Sequence, residues 1–346
     1  MAMGRKQDLQ GELFIATQDL PTGEGHLFYD KLNQLLGKHH FDRQVEALCQ
    51  EYYDDGARGG RPSLPPGVYF RMLFIGYFEG IASQRGIAWR CGDSLALRRF
   101  LGIPLTASTP DHSTLTYLRQ RLPEAVHDQV MGLILAIAQQ EKLLRGEELL
   151  VDSTLVKANA AMETIRHKQT GQSYQQYLKQ LAADAGLPEA KANELRNFDQ
   201  KRPDKSCSNA AWQSPSDPEA RITRMKDGTT RLAYKVEHAV ELESGLIVAA
   251  PVYPATEHDS ATLEATVLDA QVNLVRAASD AEVEAVGADK GYFAVATLER
   301  CAALRVRTYV SERKPPQRPG RRKPHYKWTD KSLEAERCFR NNRRRV

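Results

Sequence analysis

The feature that most constrains this chain is a change in hydrophobic period at Glu147. Before it, apolar residues recur at helical spacing; after it, they come in short runs bounded by turns. The first pattern buries one stripe of a helix and the second buries a strand. The sequence therefore predicts an all-helical domain over residues 1–145 followed by a mixed α/β domain over 146–346. A chain of 346 residues is long enough to build both cores.

In the first part, Phe28, Leu32, Leu35, Leu36, Val45 and Leu48 place a helical run between Leu27 and Tyr53. A turn from Gly59 to Pro66, rich in Gly and Pro, leads into a second run from Gly67 to Ile81. Short helices are predicted over Ser83–Arg90 and Ser94–Leu101, and Ser108 to Ser113 supplies caps for a helix from about Thr114 to Arg121. Val126–Leu143 is the longest apolar helix.

Past Glu147, Glu148 to Asp152 has the length of a buried strand and ends in an acid. Residues 159–220 are polar and are predicted to be an insertion, with helices over Tyr174–Ala185 and Glu189–Arg196 and a loop over Pro203–Pro218. Hairpins follow around Asp227-Gly228 and Glu243-Ser244. A helix over Asp259–Val275, a strand over Val283–Asp289, a helix over Ala294–Leu304 and a strand over Val306–Val310 complete the pattern.

Net charge is only +4, from 48 Lys and Arg against 44 Asp and Glu, but its distribution is uneven. Between Arg313 and Val346 thirteen basic residues face three acidic ones, ending in Arg343, Arg344 and Arg345. Such a run is either a solvated terminus or a surface for a polyanion, nucleic acid above all. Arg85, Arg90, Arg98 and Arg99 in the helical part are further candidates for phosphate contact, against the plainer reading of solvated helix faces. Cys49, Cys91, Cys207, Cys301 and Cys338 show no CxxC pairing, which argues against a zinc site or a disulfide framework and fits a reducing cytoplasm. No signal peptide and no membrane span are expected.

Two acids stand out. Asp152 and Asp289 each close an apolar run, and if the two strands are parallel neighbours both carboxylates leave the same edge of the sheet, where α/β folds build their sites. Two-metal phosphoryl transfer needs converging carboxylates around a pair of divalent ions, and Mg²⁺ or Mn²⁺ suits such oxygen ligands. Each aspartate alone reads equally as a strand-end cap. Gly291 is predicted to let the chain turn sharply beside Asp289, and Lys290 reaches a phosphate or is a solvated loop lysine. His258 or Asp259 could touch metal or DNA, with Asp259 or Ser260 as a plain helix cap the alternative. His238 reads as a packed histidine.

Several motifs in order then resemble a known family: Val151-Asp152-Ser153-Thr154, Tyr234 to His238, Ser244-Gly245, Pro254 to Ser260 and Ala288 to Tyr292, preceded by Gly60-Arg61-Pro62-Ser63 and Ser108 to Thr114. The chain resembles transposases of the IS4/IS5 type, and most of all the IS1182-like group. That resemblance implies an RNase H-like catalytic domain with a DDE triad, in which Asp152 and Asp289 are the first two acids and bind two Mg²⁺ or Mn²⁺ ions. It also implies cleavage of double-stranded DNA at insertion-sequence ends, attack on target DNA, and a homodimer that holds two ends together on the nucleoid. The third acid of the family is a Glu on a later helix. Here Glu334 and Glu336 stand outside that context, so the sequence reads as truncated before it, and a chain lacking that metal ligand is expected to lose most of its activity. The alternatives are a DNA-binding remnant without activity, or a metal-dependent phosphohydrolase using His238, His258, Asp259 and Asp289.

Overall fold

The structure, a computed structural model, describes residues 25–53, 63–203 and 207–311. It divides into two compact units, Met1–Met131 and Gly132–Val346, with the division inside the helix Glu124–Gln140.

The first unit is helical throughout its described residues: α1 (Leu27–Lys38), α2 (Phe41–Cys49), α3 (Pro66–Phe78), α4 (Gln84–Asp93), α5 (Leu95–Phe100), α6 (His112–Arg121) and the start of α7 (Glu124–Gln140). The run expected from Leu27 to Tyr53 breaks in two at His40, whose φ of 51° is left-handed and ends helical hydrogen bonding. α3 is the central element, with Tyr69, Phe70, Met72 and Ile75 buried and Pro66 at the position where its missing N–H costs nothing. Gly76 lets α4 pack close, because a Cβ there would lie 2.6 Å from Ile87 Cδ1. Local chemistry starts the later helices: Ser83 accepts from Gly86 N at 3.0 Å, Ser94 from Leu97 N at 3.3 Å and Asp111 from Ser113 N at 2.9 Å. The hydroxyl and amide of Ser113 hold the Asp111 carboxyl down at about 2.

In the second unit a seven-stranded sheet carries the architecture. β1 (Glu148–Lys157) is followed by an insertion holding β2 (Arg166–His167), α8 (Tyr174–Asp184), α9 (Ala192–Lys201) and β3 (Trp212–Gln213). Then come β4 (Arg221–Arg224), β5 (Thr230–Glu241), β6 (Ile247–Ala249), β7 (Val252–Pro254), α10 (Asp259–Arg276), β8 (Ala285–Ala288), α11 (Val295–Ala303) and β9 (Arg307–Val310). The order is β4-β5-β1-β8-β9, with β6 and β7 also on β5. β1 runs antiparallel to β5 and parallel to β8, and β8 is parallel to β9. Antiparallel strands on one side, and two parallel crossovers through α10 and α11 on the other, make this an RNase H-like sheet.

The strand that leaves the first predicted hairpin and the strand that enters the second are one continuous strand, β5, because β1 pairs with most of its length. The entry to β1 is pinned by Glu241, whose buried carboxylate accepts from Arg145 N at 2.5 Å and Gly146 N at 2.6 Å. α10 lays Leu263, Val267, Ala270 and Leu274 into the core that Val248 and Val286 also fill.

The insertion contains more order than its polar composition predicts. Its helices form close to where they are expected, but the stretch read as a loop contains β3, and Trp212 enters a small core with Ile165, Ala220, Ile222 and Leu232. Tyr174 and Tyr177 flank that indole at 5.3 Å each, so a few aromatics supply the apolar area that the flanking Gln, Lys and Asn residues lack.

Candidate active site

The parallel ladder between β1 and β8 pairs Glu148 with Ala285 and ends with Val151 opposite Ala288. The next residue on each strand is an aspartate, Asp152 and Asp289. Paired positions in a parallel sheet face the same way, so the two exposed carboxylates leave adjacent points on one face. Asp152 is not the end of its strand, as expected from the apolar run. β1 continues to Lys157 by pairing with β5 alone, where His238 stands opposite Asp152. Asp152 marks instead the place where β8 leaves the ladder.

Each carboxylate is fixed by a backbone amide close to it in sequence. Asp152 Oδ1 accepts from Ser153 N at 2.8 Å, and Asp289 Oδ1 accepts from Gly291 N at 2.6 Å, capping the turn Lys290–Tyr292. Gly291 does its work differently from what the sequence predicts. It is not among the residues with positive φ. A Cβ at that position would lie 2.8 Å from Asp289 Oδ1 and 2.7 Å from Asp259 Oδ2, so a side chain there would displace one or both carboxylates; their approach, rather than backbone conformation, is what favours glycine.

Asp259 is thus brought to the site, though not as the helix cap expected. His258 occupies the cap position of α10 without a side-chain bond, and Asp259 begins the helix. Its Oδ1 accepts from Ser153 Oγ at 2.9 Å and faces Lys235 Nζ at 3.4 Å. Lys235 is 3% exposed and also reaches Glu237 Oε1 at 2.9 Å and Thr262 Oγ1 at 2.8 Å. Glu237 is fully buried and accepts from Thr262 Oγ1 and, at 2.5 Å, from Thr266 Oγ1. Burying an ion pair is favourable only when its remaining donors and acceptors are met, and here α10 meets them. The sequence does not single out Ser153, Lys235, Thr262 or Thr266. The usable signal is that Lys235 and Glu237 alternate in phase with Ala233 and Ala239, putting two charges on the buried face of β5.

Tyr292 closes the rear of this group. Its side chain is buried, and burial followed by the nearby carboxylates of Glu237, Asp259 and Asp152 pushes the phenol well above its ordinary range, against a smaller opposing effect of the Ser153 hydroxyl.

Exposed carboxylate oxygens, each held by one amide and with the second oxygen of each accepting no hydrogen bond from the described residues, are a donor set that fits a hard divalent cation. Among the described residues no three His, Cys, Asp or Glu side chains gather into a metal cluster, and His238, His258, Asp259 and Asp289 do not form one. Glu334, Glu336, Arg343, Arg344 and Arg345, and the Gly60-Arg61-Pro62 turn, lie outside the described residues.

The candidate phosphate contacts divide into two kinds. Arg90 is paired with Glu79, Nε to Oε2 at 2.6 Å, and Arg98 donates to the carbonyls of Pro104, Leu105 and Ala107, so both guanidinium groups hold the helical unit together. Arg85 and Arg99 are exposed, as is Lys290 beside Asp289. No described helix is long and apolar enough to cross a membrane, and among the described residues Cys49, Cys91, Cys207 and Cys301 form no disulfide.

Residues 16–121 match the family model described as Transposase domain (DUF772), and residues 145–344 match the Transposase DDE domain. No curated protein matches. Among solved structures, the "Mos1 transposase paired-end complex with left transposon end" is similar at 11% identity and a TM-score of 0.23 over 72% of this chain, which spans 60% of that one. A similarity that distant carries no weight for fold or site. The match to the DDE domain covers more than half of the sequence and includes both Asp152 and Asp289: the chain belongs to the transposase DDE domain family.

Proposed function

We propose that this chain is a DNA transposase that cuts the ends of an insertion sequence and joins them to target DNA, with Asp152 and Asp289 as its ion-binding carboxylates. The observation that carries the reading is the register of Val151 with Ala288, which sets the two acids side by side. Family membership supports the reaction class, and the separate transposase-domain match supports a division in which residues 1–145 bind DNA and 146–346 do the chemistry.

Mg²⁺ or Mn²⁺ bound at the pair would neutralise charge on the attacking and leaving oxygens of an in-line displacement. The chain's own part is to hold the two carboxylates at fixed separation through the amides of Ser153 and Gly291, and to bring phosphate to them. Lys290, exposed beside Asp289, would contact the scissile phosphate. Arg85 and Arg99, with Arg90 and Arg98 as lesser contributors and Arg343, Arg344 and Arg345 beyond the described residues, would track the DNA backbone. The finer reading is an IS1182-like enzyme that works in the cytoplasm as a homodimer on two DNA ends. A non-catalytic DNA-binding remnant is the alternative reading.

The test is to incubate the full chain with labelled duplexes made from the DNA flanking its gene, with and without Mg²⁺ or Mn²⁺. Ion-dependent nicking that disappears in Asp152→Ala and in Asp289→Ala is the expected result, with binding that weakens steeply as salt rises. Binding without nicking selects the remnant. Nicking that survives either substitution removes the site assignment.

A further inference from the structure

Asp259 stands between the strand that carries Asp152 and the turn that follows Asp289. One of its oxygens takes the Ser153 hydroxyl at 2.9 Å, and Ser153 in turn gives its amide to Asp152. Its other oxygen stands 2.7 Å from the point where a Cβ on Gly291 would be, and Gly291 gives its amide to Asp289. The carboxylate is therefore braced against β1 on one side and against the turn after β8 on the other. It is itself held from behind by Lys235, which is anchored in the core by Glu237, Thr262 and Thr266. Asp259 is only partly covered, with 31% of its side chain exposed, whereas the side chains of Lys235 and Glu237 are 4% and 0% exposed.

A lysine ammonium and a glutamate carboxylate buried together stabilise a fold poorly, because desolvation offsets most of their attraction. Three hydroxyl and ammonium donors spent on Glu237, and a lysine aimed past it at Asp259, make better sense as a rigid support for something at the sheet edge. We propose that Asp259, held by Lys235, is a positioning residue that fixes the spacing of Asp152 and Asp289 and so sets the affinity of the pair for divalent ions. It acts through Ser153 and through contact with the Gly291 turn, in the way that groups behind a metal ligand fix the ligand's orientation. This inference rests on the reading of Asp152 and Asp289 as an ion-binding pair.

Mn²⁺ titration of the full-length chain, followed by the electron paramagnetic resonance of free Mn²⁺, tests it without reference to activity. Asp152→Ala and Asp289→Ala are expected to abolish uptake. Asp259→Asn and Ser153→Ala are each expected to weaken it about tenfold. The double variant should bind no more weakly than either single one, since both break the same link. Melting temperatures of the two single variants should fall by no more than about 4 °C. Should Asp259→Asn fail to fold, Ser153→Ala alone decides: weaker uptake supports the brace and unchanged uptake overturns it. Uptake lost in Asp152→Ala but unchanged in Asp259→Asn and Ser153→Ala overturns the positioning role and leaves the pair standing. Uptake weakened by Asp259→Asn but untouched by Ser153→Ala makes Asp259 a ligand and also overturns it. A wild-type chain that takes up no Mn²⁺, or uptake that survives Asp152→Ala and Asp289→Ala, removes the pair itself and the inference with it.

Discussion

In the helical unit Arg71 is 5% exposed and spends its guanidinium on Asp42, with Nε–Oδ1 and Nη2–Oδ2 both at 2.8 Å, and on Asn33 and the carbonyl of Phe100 at 2.9 Å each. In the sheet unit Lys235 is buried to the same degree but divides its donors between Glu237, Thr262 and the half-covered Asp259. The arginine closes a local circuit. It ties α1, α2, α3 and the end of α5 with a planar fork that suits a bidentate carboxylate. The lysine, a point charge on a flexible stem, joins the core to the edge of the sheet where the two aspartates stand. Burial of a cation alone does not distinguish these roles; the destination of its donors does.

Three substitutions would sharpen or break that contrast, beyond the nicking and Mn²⁺ experiments. Glu237→Leu leaves Lys235 buried beside apolar atoms, and the loss should be about 3–5 kcal/mol in urea unfolding. A much smaller loss would mean that Asp259 alone satisfies the lysine. Arg71→Met should cost less, about 2–3 kcal/mol, because the Asp42 side chain is 46% exposed and water can replace the lost partner. The same variant should leave Mn²⁺ uptake unchanged; a shift as large as that of Asp259→Asn would erase the difference between the two clusters. Tyr292→Phe should move stability at neutral pH by no more than about 1 kcal/mol, since the buried hydroxyl has no hydrogen-bond partner of good geometry among the described residues. The sign with pH is definite. An unfolded tyrosine loses its proton near 10.0, while the buried Tyr292 keeps its own, so native stability falls as pH rises past that value. The phenylalanine variant should fall less steeply in alkaline unfolding curves.

The sequence made the helical unit and the succession of strands and helices legible because each depends on local pattern: helical spacing before Glu147, short apolar runs closed by turns after it. Asp152 and Asp289 were legible for the same reason, as acids closing such runs. Their immediate setting was not. That β1 outlasts its parallel partner follows from pairing with β5, a contact far away in sequence. The role of Gly291 depends on where Asp259 arrives from α10, and the composition of α10 hides that Thr262 and Thr266, one turn apart, point at a buried carboxylate. The core of the insertion was missed because Trp212, Tyr174 and Tyr177 are few and scattered in polar sequence, and only their packing shows that they meet.

The parallel neighbours β1 and β8 have a consequence for the timing of synthesis. A parallel partner cannot be supplied by a tight turn, and here nearly all of the sheet and α10 separate the two strands in sequence. A growing chain that has released β1 can pair it with β5, but Asp152 lacks Asp289 beside it until β8 has left the ribosome and docked. The pair of acids is thus among the last features of the sheet to form, and a chain halted anywhere in the insertion, in β5 or in α10 carries one half of the pair without the other.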